Sequence, residues 1–174
     1  DERGRIVDWF ELYNQSGRAV RLTGWSATDD PDLPDKWRLP DVSIAAGKYL
    51  LVLATGGDGD DAAEAVAADS APVLSASFKL EATGGTLALL DGTSRRFIDA
   101  SRVEYGTQLP GVSYGLCPGS DGYCYLETPT PGASNAGSGA WRGMAAPVSA
   151  SPGRGVYDET VRVALTTETP GATI

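Results

Sequence analysis

Asp29, Asp30, Asp32 and Asp35 crowd one short polar stretch, and Asp8 and Glu11 form a smaller acidic pair upstream. Carboxylate and carbonyl oxygens gathered in this way hold hard cations, calcium above all. The four aspartates are therefore candidate calcium ligands. No twelve-residue EF-hand spacing is present, and Pro31 and Pro34 restrict the wrap, so a solvated acidic loop is the competing reading. Asp58, Asp60, Asp61, Glu64 and Asp69 form a second acidic cluster, in a stretch of Gly and Ala that reads as a solubilising surface insertion. Paired carboxylates hydrolyse glycosides when held about 5–9.5 Å apart in a cleft, and a small thin domain offers few clefts.

The chain has no histidine. That removes Ser-His-Asp and Cys-His catalysis, the usual zinc sites and a His-based pH switch. Ser113 has no evident base to activate it, and Thr83-Gly84-Gly85 reads as a hairpin turn rather than a phosphate cradle. No catalytic residue and no cofactor is assigned, and the chain is read as a non-enzyme. Cys117 and Cys124 bracket the turn dipeptides Pro118-Gly119 and Asp121-Gly122, which let the chain fold back and bring the thiols together. A disulfide there contributes roughly 2.5 kcal/mol through chain entropy and places the chain outside a reducing cytosol. Two free thiols in a cytosolic protein are the alternative. Trp9, Trp25, Trp37, Tyr13 and Tyr49 suit either an aromatic platform for sugar or peptide, or a core in which large rings replace scarce aliphatics.

The elements that position these residues follow from composition. The 174 residues include 22 Gly and 11 Pro, so short elements joined by turns are expected. The net charge is −9 and lies wholly in residues 1–135, where 11 Lys/Arg face 20 Asp/Glu. Nucleic-acid affinity depends on Lys/Arg displacing phosphate counterions, so neither nucleic acid nor an anionic membrane is an expected partner. The longest apolar run, Tyr49 to Ala54, is strand-sized, well below the roughly 20 residues of a membrane span.

Val7 to Asn14 alternates, with Asp8, Phe10 and Leu12 on one face and Trp9, Glu11 and Tyr13 on the other. Further strands are expected over Ala19–Trp25, Lys36–Leu39, Tyr49–Ala54, Arg96–Ile98, Val112–Leu116 and Tyr123–Leu126. The unalternating run from Tyr49 predicts a strand covered on both sides. Phe78–Ala82 and Thr86–Asp91, flanking Thr83-Gly84-Gly85, predict a hairpin. Lys36 and Lys79 are placed to pair with Glu11 or Asp8 across the sheet. Turn signals at this spacing argue for an antiparallel sandwich. Residues 136–146 read as a small-residue linker. Val148–Ala150 and Thr160–Thr166 add two strands, too few for a core of their own. They imply a partial second domain, and the single interior Met fits a piece of a longer chain.

Asp8-Trp9-Phe10-Glu11-Leu12-Tyr13-Asn14 resembles the opening D-W-I-E-L-Y-N of bacterial lamin-tail domains. The resemblance continues through Leu22-Thr23-Gly24-Trp25, Thr28-Asp29-Asp30, Lys36-Trp37 and Ala46-Gly47-Lys48-Tyr49-Leu50-Leu51-Val52. It extends over Phe78-Lys79-Leu80, Leu87-Ala88-Leu89, Val112-Ser113-Tyr114-Gly115 and Thr128-Pro129-Thr130-Pro131-Gly132-Ala133. Residues 147–174 resemble the start of the β-sandwich repeat named for the C-terminal part of chitobiase and β-hexosaminidase, through Ser151-Pro152-Gly153, Val161-Arg162-Val163-Ala164-Leu165 and Thr169-Pro170-Gly171-Ala172. The resemblance implies an all-β chain: an immunoglobulin-like antiparallel sandwich over 1–135, the linker, then a partial second sandwich over 147–174. It also implies a secreted or cell-surface bacterial multidomain protein, in which this part is a non-catalytic protein-binding or spacer module, monomeric by itself. The alternative is a calcium-dependent cell-surface or carbohydrate-binding module.

Overall fold

The computed structural model describes residues 7–57 and 73–174, and these contain strands, turns and two short 3-10 turns but no α-helix. The all-β expectation holds. The chain divides into two compact units, Asp1–Ala140 and Trp141–Ile174. The acidic insertion expected around Asp58 to Asp69 falls outside the described residues.

In the first unit, β1 (Trp9–Tyr13), β6 (Tyr49–Ala54) and β7 (Leu74–Ala76) form one sheet in the order β1-β6-β7. A second sheet runs β4-β3-β8-β9, from β3 (Ser26–Thr28), β4 (Trp37–Arg38), β8 (Gly85–Leu90) and β9 (Val103–Tyr105). A small ribbon pairs β2 (Val20–Arg21) with β5 (Ser43–Ile44). A hairpin of β10 (Ser113–Leu116) and β11 (Tyr123–Leu126) is followed in its sheet by β12 (Ala140–Trp141).

The core gathers side chains from both larger sheets. Phe10, Val52 and Leu74 come from the first, Ala27, Trp37 and Leu89 from the second, and Leu22, Leu39 and Phe78 from the connections. Phe10 stacks on Phe78 at 5.9 Å and meets Trp37 edge-on at 6.4 Å. Such ring pairs add roughly 0.5–1.5 kcal/mol beyond the area they bury.

Strand β3 is buried on both faces. Ala27 faces the core, while Ser26 and Thr28 are fully enclosed on the other side. Their hydroxyls are satisfied by the acidic loop: Ser26 Oγ donates to Asp35 Oδ1 at 3.0 Å, and Thr28 Oγ1 donates to the Asp30 carbonyl at 2.7 Å. Unpaired, each hydroxyl would cost about 1–3 kcal/mol there.

Three expectations are corrected. Strand β6 alternates: Leu50, Val52 and Ala54 are buried, whereas Tyr49, Leu51 and Leu53 are half-exposed. It is therefore covered on one face only, its outer face being apolar without being core. The hairpin about Thr83-Gly84-Gly85 does not form, because Phe78–Ala82 is not a strand and β8 pairs instead with β3 and β9. The glycines there serve close approach: a Cβ on Gly84, at φ +121°, would lie 2.8 Å from the Tyr105 carbonyl oxygen. Lys36 pairs with Asp29 at 2.6 Å rather than with Glu11 or Asp8, and Lys79 makes no ion pair among the described residues.

The first unit holds its chain in place beyond β9 as well. Tyr125 OH donates to the Thr107 carbonyl at 2.9 Å, Asn135 Nδ2 to the Leu116 carbonyl at 2.9 Å, and Glu127 N–H to the Gly139 carbonyl at 2.8 Å. Residues 136–140, which composition places in a linker, are thus bonded into this unit. In the second unit, β13 (Ser149–Ser151) and β14 (Ala164–Thr166) form an antiparallel ribbon. Val148, Val163 and Leu165 are exposed on it.

Two substitutions test this packing. Phe10→Ala should lower unfolding free energy by about 3–5 kcal/mol through the cavity left beneath Phe78 and Trp37. Gly92→Ala should also destabilise, by about 1–3 kcal/mol, because its Cβ would lie 2.5 Å from the Gly24 carbonyl carbon. Urea midpoints at constant m-value measure both.

Candidate functional site

The outer face of β1 and β6 is a distinctive surface among the described residues of the first unit. Period-2 alternation sends Phe10 inward and Trp9, Glu11 and Tyr13 outward. The antiparallel register sets Trp9 opposite Leu53, Glu11 opposite Leu51 and Tyr13 opposite Tyr49. Tyr13 and Tyr49 stack at 4.5 Å, with Tyr13 still 43% exposed. The result is an aromatic and aliphatic strip with one carboxylate at its centre.

Glu11 is half-buried in that strip. Its Oε2 accepts the Gly132 N–H at 2.9 Å, across 121 positions of chain. Burial pushes the Glu11 carboxyl above its ordinary value, and the Gly132 bond opposes this without cancelling it. Burial, with Tyr13 and Glu11 beside it, likewise raises the Tyr49 phenol. A second tyrosine cluster lies on the β10–β11 hairpin, where Tyr114 stacks on Tyr123 at 5.9 Å and meets Tyr125 at 5.1 Å.

Of the four candidate calcium ligands, Asp29, Asp30 and Asp35 have partners within the fold. Asp29 pairs with Lys36, and Asp35 with Arg95 and Arg38. Asp30 Oδ1 accepts the Asp32 N–H at 3.0 Å, a turn bond within the loop. Among the described residues no three Asp, Glu, His or Cys side chains are grouped so as to hold a metal ion. The loop covers the outer side of β3 and bonds its Ser26 and Thr28 hydroxyls. Cys117 and Cys124 form a disulfide with Cα atoms 5.4 Å apart, closing the turn between β10 and β11. The five rings proposed as one platform divide: Trp37 and Trp25 belong to the core, and Trp9, Tyr13 and Tyr49 to the outer strip. Ser113 is half-buried in β10, opposite Leu126.

Several polar contacts carry no local sequence signal. Arg21 donates through Nε and Nη2 to the two carboxylate oxygens of Asp41; these bonds first, and then one from Thr23 Oγ1, hold the carboxyl down at about 2. Arg95 reaches Asp35 from sixty positions away and is the one described non-glycine residue at positive φ, 55°. Its turn is set by Asp91 Oδ1, which accepts the Thr93 and Ser94 N–H groups at 2.6 and 2.7 Å.

The direction of the Glu11 shift has a measurable consequence. With its folded-state value raised, Glu11 takes up a proton in the native state before the unfolded chain does. Its charge therefore costs stability above that raised value, and the cost vanishes below the ordinary glutamate range. The stability of Glu11→Gln relative to the parent should improve as pH rises from 4 to 7, read from urea midpoints across that series.

Comparison with known protein families finds a match to the Lamin Tail Domain over residues 1–107. Comparison with curated proteins and with solved structures finds no match. The family is an immunoglobulin-like module that is generally non-catalytic, and among the described residues no helix is long and apolar enough to cross a membrane. The match takes in both core sheets and the whole β1–β6 strip, and it covers more than half the chain: this protein belongs to the Lamin Tail Domain family.

Proposed function

We propose that the first unit is a protein-binding module and that its contact surface is the outer strip of β1 and β6. The observation that carries this reading is the half-exposed set Trp9, Tyr13, Tyr49, Leu51 and Leu53 around Glu11, on a sheet whose opposite face is core. Rigid aromatic residues with a polar handle are the side chains that dominate protein contacts. The net charge of −9 favours a partner with a basic surface over nucleic acid. The Cys117–Cys124 disulfide supports a secreted or cell-surface setting.

In the same reading residues 147–174 are the opening strands of a second β-sandwich module. The exposure of Val148, Val163 and Leu165 on a ribbon of two strands supports it, since such a ribbon buries nothing by itself. The protein then serves as a non-catalytic binding and spacing element of a larger secreted bacterial protein, monomeric in isolation.

A thermal melt with added calcium separates this from the cation-dependent alternative. The midpoint should not move, because a ligand that binds only the folded state must raise it. A calcium-dependent rise of several degrees assigns the Asp29–Asp35 loop a cation instead. Turnover of chromogenic glycosides or esters by the purified protein would overturn the non-catalytic reading.

A further inference from the structure

We propose that the free edge of β1 takes up an extended basic segment of a partner protein as an added strand, with Glu11 receiving its cationic side chain. The proposal rests on the protein-binding reading above and names the place, the mode and the chemistry of the partner.

The register of β1 carries the argument. Ala54 N–H donates to the Asp8 carbonyl at 2.7 Å, and Asn14 N–H donates to the Lys48 carbonyl at 3.0 Å. Hydrogen-bonded and non-hydrogen-bonded pairs alternate along an antiparallel ladder. With Trp9 opposite Leu53 and Tyr13 opposite Tyr49, the main-chain groups of Asp8, Phe10, Leu12 and Asn14 turn toward β6. Those of Trp9, Glu11 and Tyr13 turn away from it. Strand β1 is terminal in the order β1-β6-β7, and among the described residues no backbone group bonds these three outward N–H and C=O pairs. Such a row is a ready template for another strand. Edge strands are ordinarily blunted by charged side chains, Pro or a bulge; Trp9-Phe10-Glu11-Leu12-Tyr13 has no Pro or bulge, and its one charge, Glu11, opposes an acidic strand but not a basic one.

Charge selects the occupant. Glu11 is the one charged side chain of β1. Gly132 N–H holds its Oε2, and no Lys or Arg among the described residues lies within ion-pair distance of it. A Lys or Arg set beside Glu11 on an added strand gains an opposite-charge neighbour at a partly desolvated site, while a carboxylate there is repelled. Neighbouring positions on the same face of that strand meet Trp9 and Tyr13, which suit apolar residues. The first 135 residues, at −9, add a general attraction for a basic chain.

The test uses the whole chain and two synthetic probes, a Val-Thr-Lys-Thr-Val peptide, which sets one lysine between two valines on one strand face, and its Val-Thr-Glu-Thr-Val counterpart. Binding is read by fluorescence anisotropy and by amide hydrogen exchange. The lysine peptide should bind and slow exchange of the Trp9, Glu11 and Tyr13 amides, and the glutamate peptide should do neither. Glu11→Gln should weaken binding about tenfold, the loss expected for a hydrogen bond to a charged group. Tyr13→Pro, which deletes an outward N–H without touching the β6 ladder, should weaken it more than Tyr13→Ala, which deletes only the ring. If Tyr13→Pro does not fold, amide protection in the parent still decides. Equal binding of both peptides, no binding, or binding without protection of these three amides overturns the proposal. A natural partner that binds while the β1 amides stay unprotected removes the edge and leaves the module reading in place.

Discussion

The contact of Phe10 with Phe78 and Trp37 ties the two larger sheets together, and the geometry of the outer strip depends on it. The chain is poor in large aliphatic side chains for its length, so aromatic rings supply much of the area that the sheets bury against each other. Phe10 belongs to β1, and side chains in a strand alternate with a period of two. Locking Phe10 into the core therefore also locks Trp9, Glu11 and Tyr13 onto the outside. A slip of one residue would exchange the two sets and place Glu11 among the core rings.

Polar groups follow the same economy. Buried Ser26 and Thr28 are answered by Asp35 and Asp30, so a loop whose charge suggests cation binding acts as a lid on β3. Lys36 and Arg95 neutralise two of its aspartates from within the fold. The lid and the turn that carries Arg95 hold each other in place, although exposed ion pairs of this kind stabilise only weakly. Glu11 stands apart from this pattern, since it accepts a backbone N–H from Gly132 and no cation answers its charge among the described residues.

The segment beyond the family match is structural. Tyr125, Asn135 and Gly132 bond back to Thr107, Leu116 and Glu11 in turn, and the disulfide closes the hairpin from which the first two of these contacts extend. Val112-Ser113-Tyr114-Gly115 and Thr128-Pro129-Thr130 lie in or beside these contacts. Glycine and proline there shape turns that bring the chain back across the sheet.

Strand character, the strand faces of β1 and the absence of histidine chemistry were legible in the chain, because period-2 alternation and residue type act locally. So was the Cys117–Cys124 bridge, whose loop is short enough for its turn residues to decide. What lay beyond reach depended on partners distant in sequence. The Thr83-Gly84-Gly85 glycines answer to Tyr105 rather than to a hairpin, Lys36 answers to Asp29 rather than to Glu11, and the apolar run of β6 buries only alternate residues. Local sequence states what each residue can do. Only tertiary packing decides which neighbour it meets, because burial and pairing energies are set by atoms that the chain brings together from tens of positions away.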